Sequence, residues 1–328
     1  MAHGGGGRRM HQLLEQVVFP ILGGPPLADR HDGAPVASDV PGSLVLTTDS
    51  FVVRPLFFPG GDIGTLSVCG TINDLAMCGA SAEALTLSMI LGEGLEIAVL
   101  ERVLHGVRSA ADRAGVSIVT GDTKVVDGGA SGDLFLNTAG LGRRVAPRAI
   151  RPGNIRPGDV VLVSGDLGRH GIAVLSARES LGLEGELDSD VANLWPQVAA
   201  LLDAGVDVHC LRDLTRGGLA AAVTELAEAR GLEFELLEER VPVNDVVRGV
   251  CELLGFDPLN IACEGRFLLV TTAEDAERAI AALEASGGAP ALVGRVRDSG
   301  PGRVRLVTGI GTTRLLDLPA GDPLPRIC

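Results

Sequence analysis

Between residues 147 and 157 the hydrophobic periodicity of the chain gives way to Pro147, Pro152 and Pro157, interleaved with Arg148, Arg151 and Arg156. Proline fixes φ and removes a donor, so neither a helix nor a central strand can run through this stretch, which is the natural joint of the chain. On both sides of it strand-like and helix-like patterns mix. With 328 residues, more than one core usually holds, the expectation is two α/β domains of similar size.

In the first half, Met10 to Val18 carries a short helical pattern, Pro25-Pro26 ends it, and the stretch to Gly42 reads as loop. Leu44 to Thr48 is a strand that delivers Asp49. Apolar and small residues at helical spacing from Ile63 to Cys78 predict a helix stopped by Gly79. A strand over 84–91 and an amphipathic helix from Leu100 to Ala114, closed by Gly115, come next. Val116 to Thr120 is a strand that ends in an expected turn, Gly121-Asp122-Thr123-Lys124, and Leu134 to Thr138 is another. The second half restarts with a strand at 160–164. Helices are expected at 171–180, 193–204, 219–230 and 273–285, with strands at 267–271 and 304–307.

Composition excludes several classes of function. A net charge of −14, with no basic stripe carrying interleaved aromatics, argues against nucleic acid and against anionic lipid. No apolar run reaches the roughly 18 residues that cross a bilayer, and Glu15 interrupts the first apolar segment, so a cytoplasmic protein is expected. The six cysteines lie far apart with no CxxC pair, which disfavours a zinc knuckle or a disulfide framework.

Four aspartates stand where carboxylates need partners: Asp49, Asp74, Asp122 and Asp213. From Phe57 to Glu101 there is no Lys or Arg, so Asp62 and Asp74 have no local cation. Carboxylate oxygens without His or Cys companions suit Mg²⁺ and phosphate better than zinc. Read one at a time, these residues could equally be helix caps or turn formers. Lys124 is the single lysine among 28 basic residues, a compact point charge in a chain that otherwise uses arginine. Beside Asp122 and Thr123 it would suit the neutralisation of charge during phosphoryl transfer. No P-loop or dinucleotide fingerprint is present. In Arg212-Asp213-Leu214-Thr215-Arg216-Gly217-Gly218, ahead of a helix, the arginines and glycine-flanked backbone donors could meet an anion, and Glu264 could accept a proton. His170 has no second histidine at ligand spacing and reads as a structural or helix-start residue. Finally, the chain stops at Cys328, behind Pro323 and Pro325. A thiol on a semi-extended arm suits a covalent carrier, loaded at one site and processed at another, unless the terminus is simply a cysteine.

Taken together, these segments resemble the HypE family of hydrogenase maturation factors, carbamoyl dehydratases of the PurM-like ATP-binding superfamily that also includes selenophosphate synthetase. The resemblance runs over almost the whole chain. It is carried by Thr47-Thr48-Asp49-Ser50, Phe57-Phe58-Pro59-Gly60-Gly61-Asp62, Cys69-Gly70-Thr71-Ile72-Asn73-Asp74, Val119-Thr120-Gly121-Asp122-Thr123-Lys124, His170-Gly171, Asp213 with Thr215-Arg216-Gly217-Gly218, Glu264-Gly265 and the closing Pro325-Arg326-Ile327-Cys328. It implies a glycine-rich segment with a helix at 1–42, an N-terminal ATP- and Mg²⁺-binding domain at 43–147, a linker at 148–157, a C-terminal domain at 158–312 and a mobile tail at 313–328.

The implied chemistry begins with a carbamoyl group delivered to Cys328 by the carbamoyltransferase HypF. ATP phosphorylates the carbamoyl oxygen, and loss of phosphate leaves a thiocyanate. The cyanide would pass to iron on the HypC–HypD complex for a nickel–iron hydrogenase. By matching position, Asp49, Asp74, Asp122 and Asp213 would hold Mg²⁺, while Thr48, Asp49, Asp62, Asp122, Thr123, Lys124 and Arg216 would contact ATP. Cys328, Lys124 and Glu264 would be catalytic. A homodimer paired through N-domain strands is implied as well. The chain departs from the family pattern at His3-Gly4-Gly5-Gly6-Gly7, which lacks a serine, and at Cys263, where asparagine is usual. Only Asp32 represents the superfamily's acidic segment before the first strand. Rival readings are another acceptor on the same fold, such as a selenophosphate synthetase or a small-molecule kinase, or an idle scaffold whose tail is a docking peptide.

Overall fold

The computed structural model describes residues 7–22, 30–38, 40–127, 133–181, 187–297, 300–318, 324 and 327–328. His3 to Gly6, Pro323, Pro325 and Arg326 lie outside the described residues.

Two mixed α/β units are present, each built on one principal sheet. In the first, the strands run in the order β1 (Ala34–Pro35), β2 (Leu44–Phe51), β7 (Leu134–Arg144), β5 (Ala80–Gly92) and β6 (Ser117–Val126). The helix Ile63–Met77 packs on β2, β7 and β5, and the helix Ile97–Ala114 packs on it in turn. Apart from Asp74 the first helix is a run of apolar, small and neutral polar residues, so it tolerates burial on nearly every side. The second is amphipathic and ends at Gly115 in the left-handed region, as its sequence predicts.

Strand parity determines which side chains meet. Along β2, Val45, Thr47 and Phe51 are buried against the helices, whereas Leu46, Thr48 and Ser50 are exposed on the opposite face. Exposed Ile90 of β5 and exposed Val119, Val125 and Val126 of β6 leave this half of the molecule with apolar surface in solvent.

The second sheet is ordered β14 (Thr313–Leu316), β13 (Val304–Val307), β10 (Phe234–Leu237), β12 (Ala291–Val296), β8 (Val160–Val163), β11 (Phe267–Thr271) and β9 (Val208–Asp213). Its central strands are buried on both faces. Val161, Val163, Leu268 and Val270 pack towards the helix Gly218–Arg230, while Leu162, Phe267 and Leu269 pack towards the helices Trp195–Asp203 and Ala276–Ala285. Ala76 and Met77 join the second of these clusters and so couple the two units through the helix that carries Asp74.

Two local expectations need correction. Gly121 to Lys124 is not a turn, because β6 runs unbroken through Val126 and pairs in parallel with β5. Glycine is required at 121 for a different reason: a Cβ there would collide with the Leu87 carbonyl of the neighbouring strand. Thr313–Leu316, assigned from sequence to the tail, is an edge strand antiparallel to β13. The open edge of β13 offers backbone donors and acceptors that this segment satisfies, with Leu316 buried at its end.

Candidate functional site

The first sheet, the helix Ile63–Met77 and the end of β9 converge on a cavity of about 520 Å³. Asp32, Asp49, Asp74, Asp213, Arg212 and Arg216 line its acidic end, and Leu14, Phe19 and Leu226 line an apolar one. Asp49 comes from β2, Asp213 is the last residue of β9, and Asp74 reaches in from the helix that joins the two units.

The carboxylates crowd one another. Burial, reinforced by the neighbouring acids, pushes Asp32 up to about 6 and Asp213 up to about 7. Asp49 and Asp74 are raised for the same primary reason, Asp74 well above the usual carboxylate range because Asp213, Asp32 and Asp49 add their charge. Two arginines offset part of this. Arg212 Nη1 lies 3.2 Å from Asp32 and its Nη2 lies 2.6 Å from Glu225, while Arg216 Nη2 stands 3.9 Å from Asp49.

The end of the chain is docked at this site. Leu324 and Ile327 are buried, the main-chain N–H of Val52 donates to the Cys328 carbonyl oxygen at 3.1 Å, and His170 Nε2 lies 2.7 Å from the Ile327 carbonyl oxygen. The negative charge of Cys328 is the main influence holding the Arg216 guanidinium protonated. Arg216 therefore stands between the chain end and the acidic cavity. Glu264 is 3% exposed, and burial, with added charge from Asp213 and Asp49, raises it well above its usual range. Its Oε1 has no hydrogen-bond partner among the described residues, as expected of a carboxyl awaiting a proton or a substrate atom.

Other predicted site residues lie elsewhere. Asp62 caps the helix Ile63–Met77, accepting from the Thr65 N–H at 2.9 Å, so its partner is a helix end and not a ligand. Register links Asp49 through Thr138 and Leu87 to Gly121, which places Asp122 and Lys124 on the opposite face of the sheet, three strands away or about 14 Å. There Lys124 Nζ pairs with Asp122 at 2.8 Å, and Thr123 is exposed beside them. Within one chain these three residues do not reach the cavity. Thr48, on the open face, does line its rim. Arg212, read with Arg216 as an anion contact, is instead engaged by Asp32 and Glu225. Sequence reasoning missed Glu225, and it missed His170 as a contact of the tail.

Among the described residues no three His, Cys, Asp or Glu side chains converge into a preformed metal cage. The donor set nevertheless fits Mg²⁺, which takes one or two carboxylates and completes its shell with water and phosphate oxygens. The buried Oδ2 of Asp32, which has no hydrogen bond among the described residues and only His31 Nδ1 at 3.6 Å, and the mutual crowding of the acids both favour a cation here.

Comparison with known proteins adds an independent line. Residues 30–144 match the AIR synthase related protein N-terminal domain, and residues 156–307 match its C-terminal domain. The carbamoyl dehydratase HypE of Escherichia coli is 46% identical over 336 residues, covering 100% of this chain and 98% of that protein. A crystal structure of a HypE–HypF complex superposes with a TM-score of 0.88 at 39% identity, covering 94% of this chain and 99% of the other. HypE in complex with ATP gives a TM-score of 0.83 at 42% identity, covering 99% and 98%.

Proposed function

This chain belongs to the HypE family of hydrogenase maturation carbamoyl dehydratases, and we propose that it dehydrates a carbamoyl group carried on its own Cys328 to a thiocyanate. The observation that carries this reading is the docked chain end, held by Val52 and His170, whose Cys328 charge acts on Arg216, a residue lining an acidic cavity large enough for a nucleotide. A relative solved with ATP and another solved with HypF supply the cosubstrate and the donor of the carbamoyl group.

Amide oxygen is a poor leaving group, and phosphorylation makes it a good one. Bound Mg-ATP supplies the γ-phosphoryl group. The carbamoyl oxygen on Cys328 takes that group, the bond to the β-phosphate oxygen breaks, ADP leaves, and one N–H proton passes to solvent. Glu264 then accepts the second N–H proton, the carbon–oxygen bond breaks with its electron pair leaving on phosphate, and the carbon–nitrogen triple bond forms on sulfur. Asp49, Asp74 and Asp213, joined by Asp32, would hold the cation, and Thr48 and Arg216 would contact phosphate. Burial first, and the charge of Asp213 and Asp49 second, keep Glu264 protonated; a cation among these acids would relieve the second and so favour Glu264 as a base.

Asp122, Thr123 and Lys124 act in this scheme from a second copy of the chain. Their exposure on an edge strand, beside exposed Val119 and Val125, suits a homodimer paired through the first sheet. The cyanide is then handed to iron on a HypC–HypD complex. ATP hydrolysis measured with and without carbamoylated Cys328 tests the scheme. Turnover should require the loaded thiol, and turnover that is unchanged in Cys328→Ser would reject it.

A further inference from the structure

We infer that His170 is the positioning residue of the tail, holding Cys328 in the pose used for dehydration and letting go for loading; this rests on the reading above. The imidazole stands at the meeting point of both units and the chain end. Its ring lies edge-on to Phe58 at 5.2 Å, its Nδ1 is 2.8 Å from Ser189 Oγ, and its Nε2 is 2.7 Å from the Ile327 carbonyl, one residue before the thiol.

These contacts fix the tautomer. A main-chain carbonyl only accepts, so Nε2 must carry the proton. Nδ1 then accepts, and the Ser189 hydroxyl must donate to it. That hydroxyl's own oxygen accepts from the Val191 N–H at 3.1 Å, which sets its direction. Burial lowers the imidazole to about 4, so the neutral ring persists through the physiological range. Gly171 adds a second part of the dock. A Cβ there would collide with Ile261 and would meet the Leu324 side chain only at ordinary contact distance, 3.4 Å, so glycine is required by the packing of Ile261 beside the docked Leu324.

The His170 bond is one neutral contact among several that hold the tail, beside the Val52 N–H on the Cys328 carbonyl and the burial of Leu324 and Ile327, so its loss loosens the dock without abolishing it. Replacing His170 leaves the Ile327 carbonyl without its donor, which shifts the docked population by about tenfold. Gln carries an amide N–H to nearly the same point and should restore the latch.

The test uses the full-length protein. Cys328 is alkylated with iodoacetamide and followed on its C-terminal peptide, the other five cysteines being buried. Carbamoyl loading and dehydration are then timed separately by intact mass. His170→Leu should alkylate about tenfold faster, load at least as fast as wild type, and dehydrate about tenfold more slowly per loaded chain, with His170→Gln returning both rates to near wild type. A folded His170→Leu that alkylates at the wild-type rate overturns the inference. If that variant does not fold, Ser189→Ala decides, with faster alkylation expected and an unchanged rate contradicting. A wild-type chain that never dehydrates its cargo would sink the proposed reaction and leave the alkylation result to judge the latch.

Discussion

The Thr47 hydroxyl has one proton and two acceptors: it lies 2.7 Å from Asp74 Oδ2 and 2.8 Å from the Asp32 carbonyl oxygen. Both distances are satisfied when Thr47 donates to the carbonyl and a protonated Asp74 donates to Thr47, which agrees with the upward shift of that carboxyl. A cation would take the place of the Asp74 proton.

Asp74→Asn should therefore separate stability from function. The amide keeps a donor for Thr47 without adding to the crowded charge, so the metal-free protein should gain about 1 kcal/mol. Mg-ATP binding should fall by at least tenfold. Thermal melting with and without Mg-ATP, together with calorimetry, checks both parts.

Stability should depend on pH with a definite sign. Asp32 and Asp213 titrate near 6 and 7 in the folded chain, against an ordinary value of 3.8, so between these limits the folded state holds protons that the unfolded state has lost. Their stabilising contribution is complete below about pH 4 and is lost as pH rises through 7. Without metal, the melting temperature of wild type relative to Asp213→Asn should drop from pH 5 to pH 8. Mg-ATP should recover more of it at pH 8 than at pH 6, since binding must displace those protons. A pH-independent difference would count against the assignment.

For Glu264→Gln the charge is removed and the shape kept. Cys328 should still accept its carbamoyl group, whereas dehydration should slow by about a hundredfold or more, the usual scale for a lost general base. Quenched-flow mass analysis of loaded protein separates the two steps.

Lys124 offers a test of the second copy. Lys124→Ala and Glu264→Gln should each be nearly inactive alone. Mixed after reversible dissociation, they should regain activity, because a hybrid dimer contains one site with both native residues. Failure of hybrids, verified as such, to turn over would contradict action of Lys124 from the second copy.

How much of this was legible follows from what each residue needs. Asp74, in a stretch of 45 residues without a cation, announced a partner from elsewhere, and the helix containing it does deliver it to the acidic end of the cavity. Asp213 was readable from the arginine- and glycine-rich helix start that follows it, whereas the strand Val208–Asp213 that delivers it, broken up by His209 and Arg212, was not. That Asp122 lies on the face opposite Asp49 was not readable, because strand parity, and not proximity in sequence, sets its face, and parity follows from a register that only the paired sheet reveals. Gly121 read as a turn because glycine signals both turns and close strand approach. Asp62 lacked a cation for a simpler reason, since helix N–H groups satisfy it. The partner of His170 is a main-chain carbonyl 157 residues away, and such a contact leaves no side-chain signature in the sequence.

The central claim is that Cys328 carries its cargo through dehydration at this cavity. Intact mass spectrometry after incubation with HypF, carbamoyl phosphate and Mg-ATP tests it most directly. The account predicts a carbamoyl adduct on wild type that then loses one water, with neither species on Cys328→Ala. An adduct that persists unchanged in the presence of Mg-ATP, or a dehydrated species on the alanine variant, would contradict it.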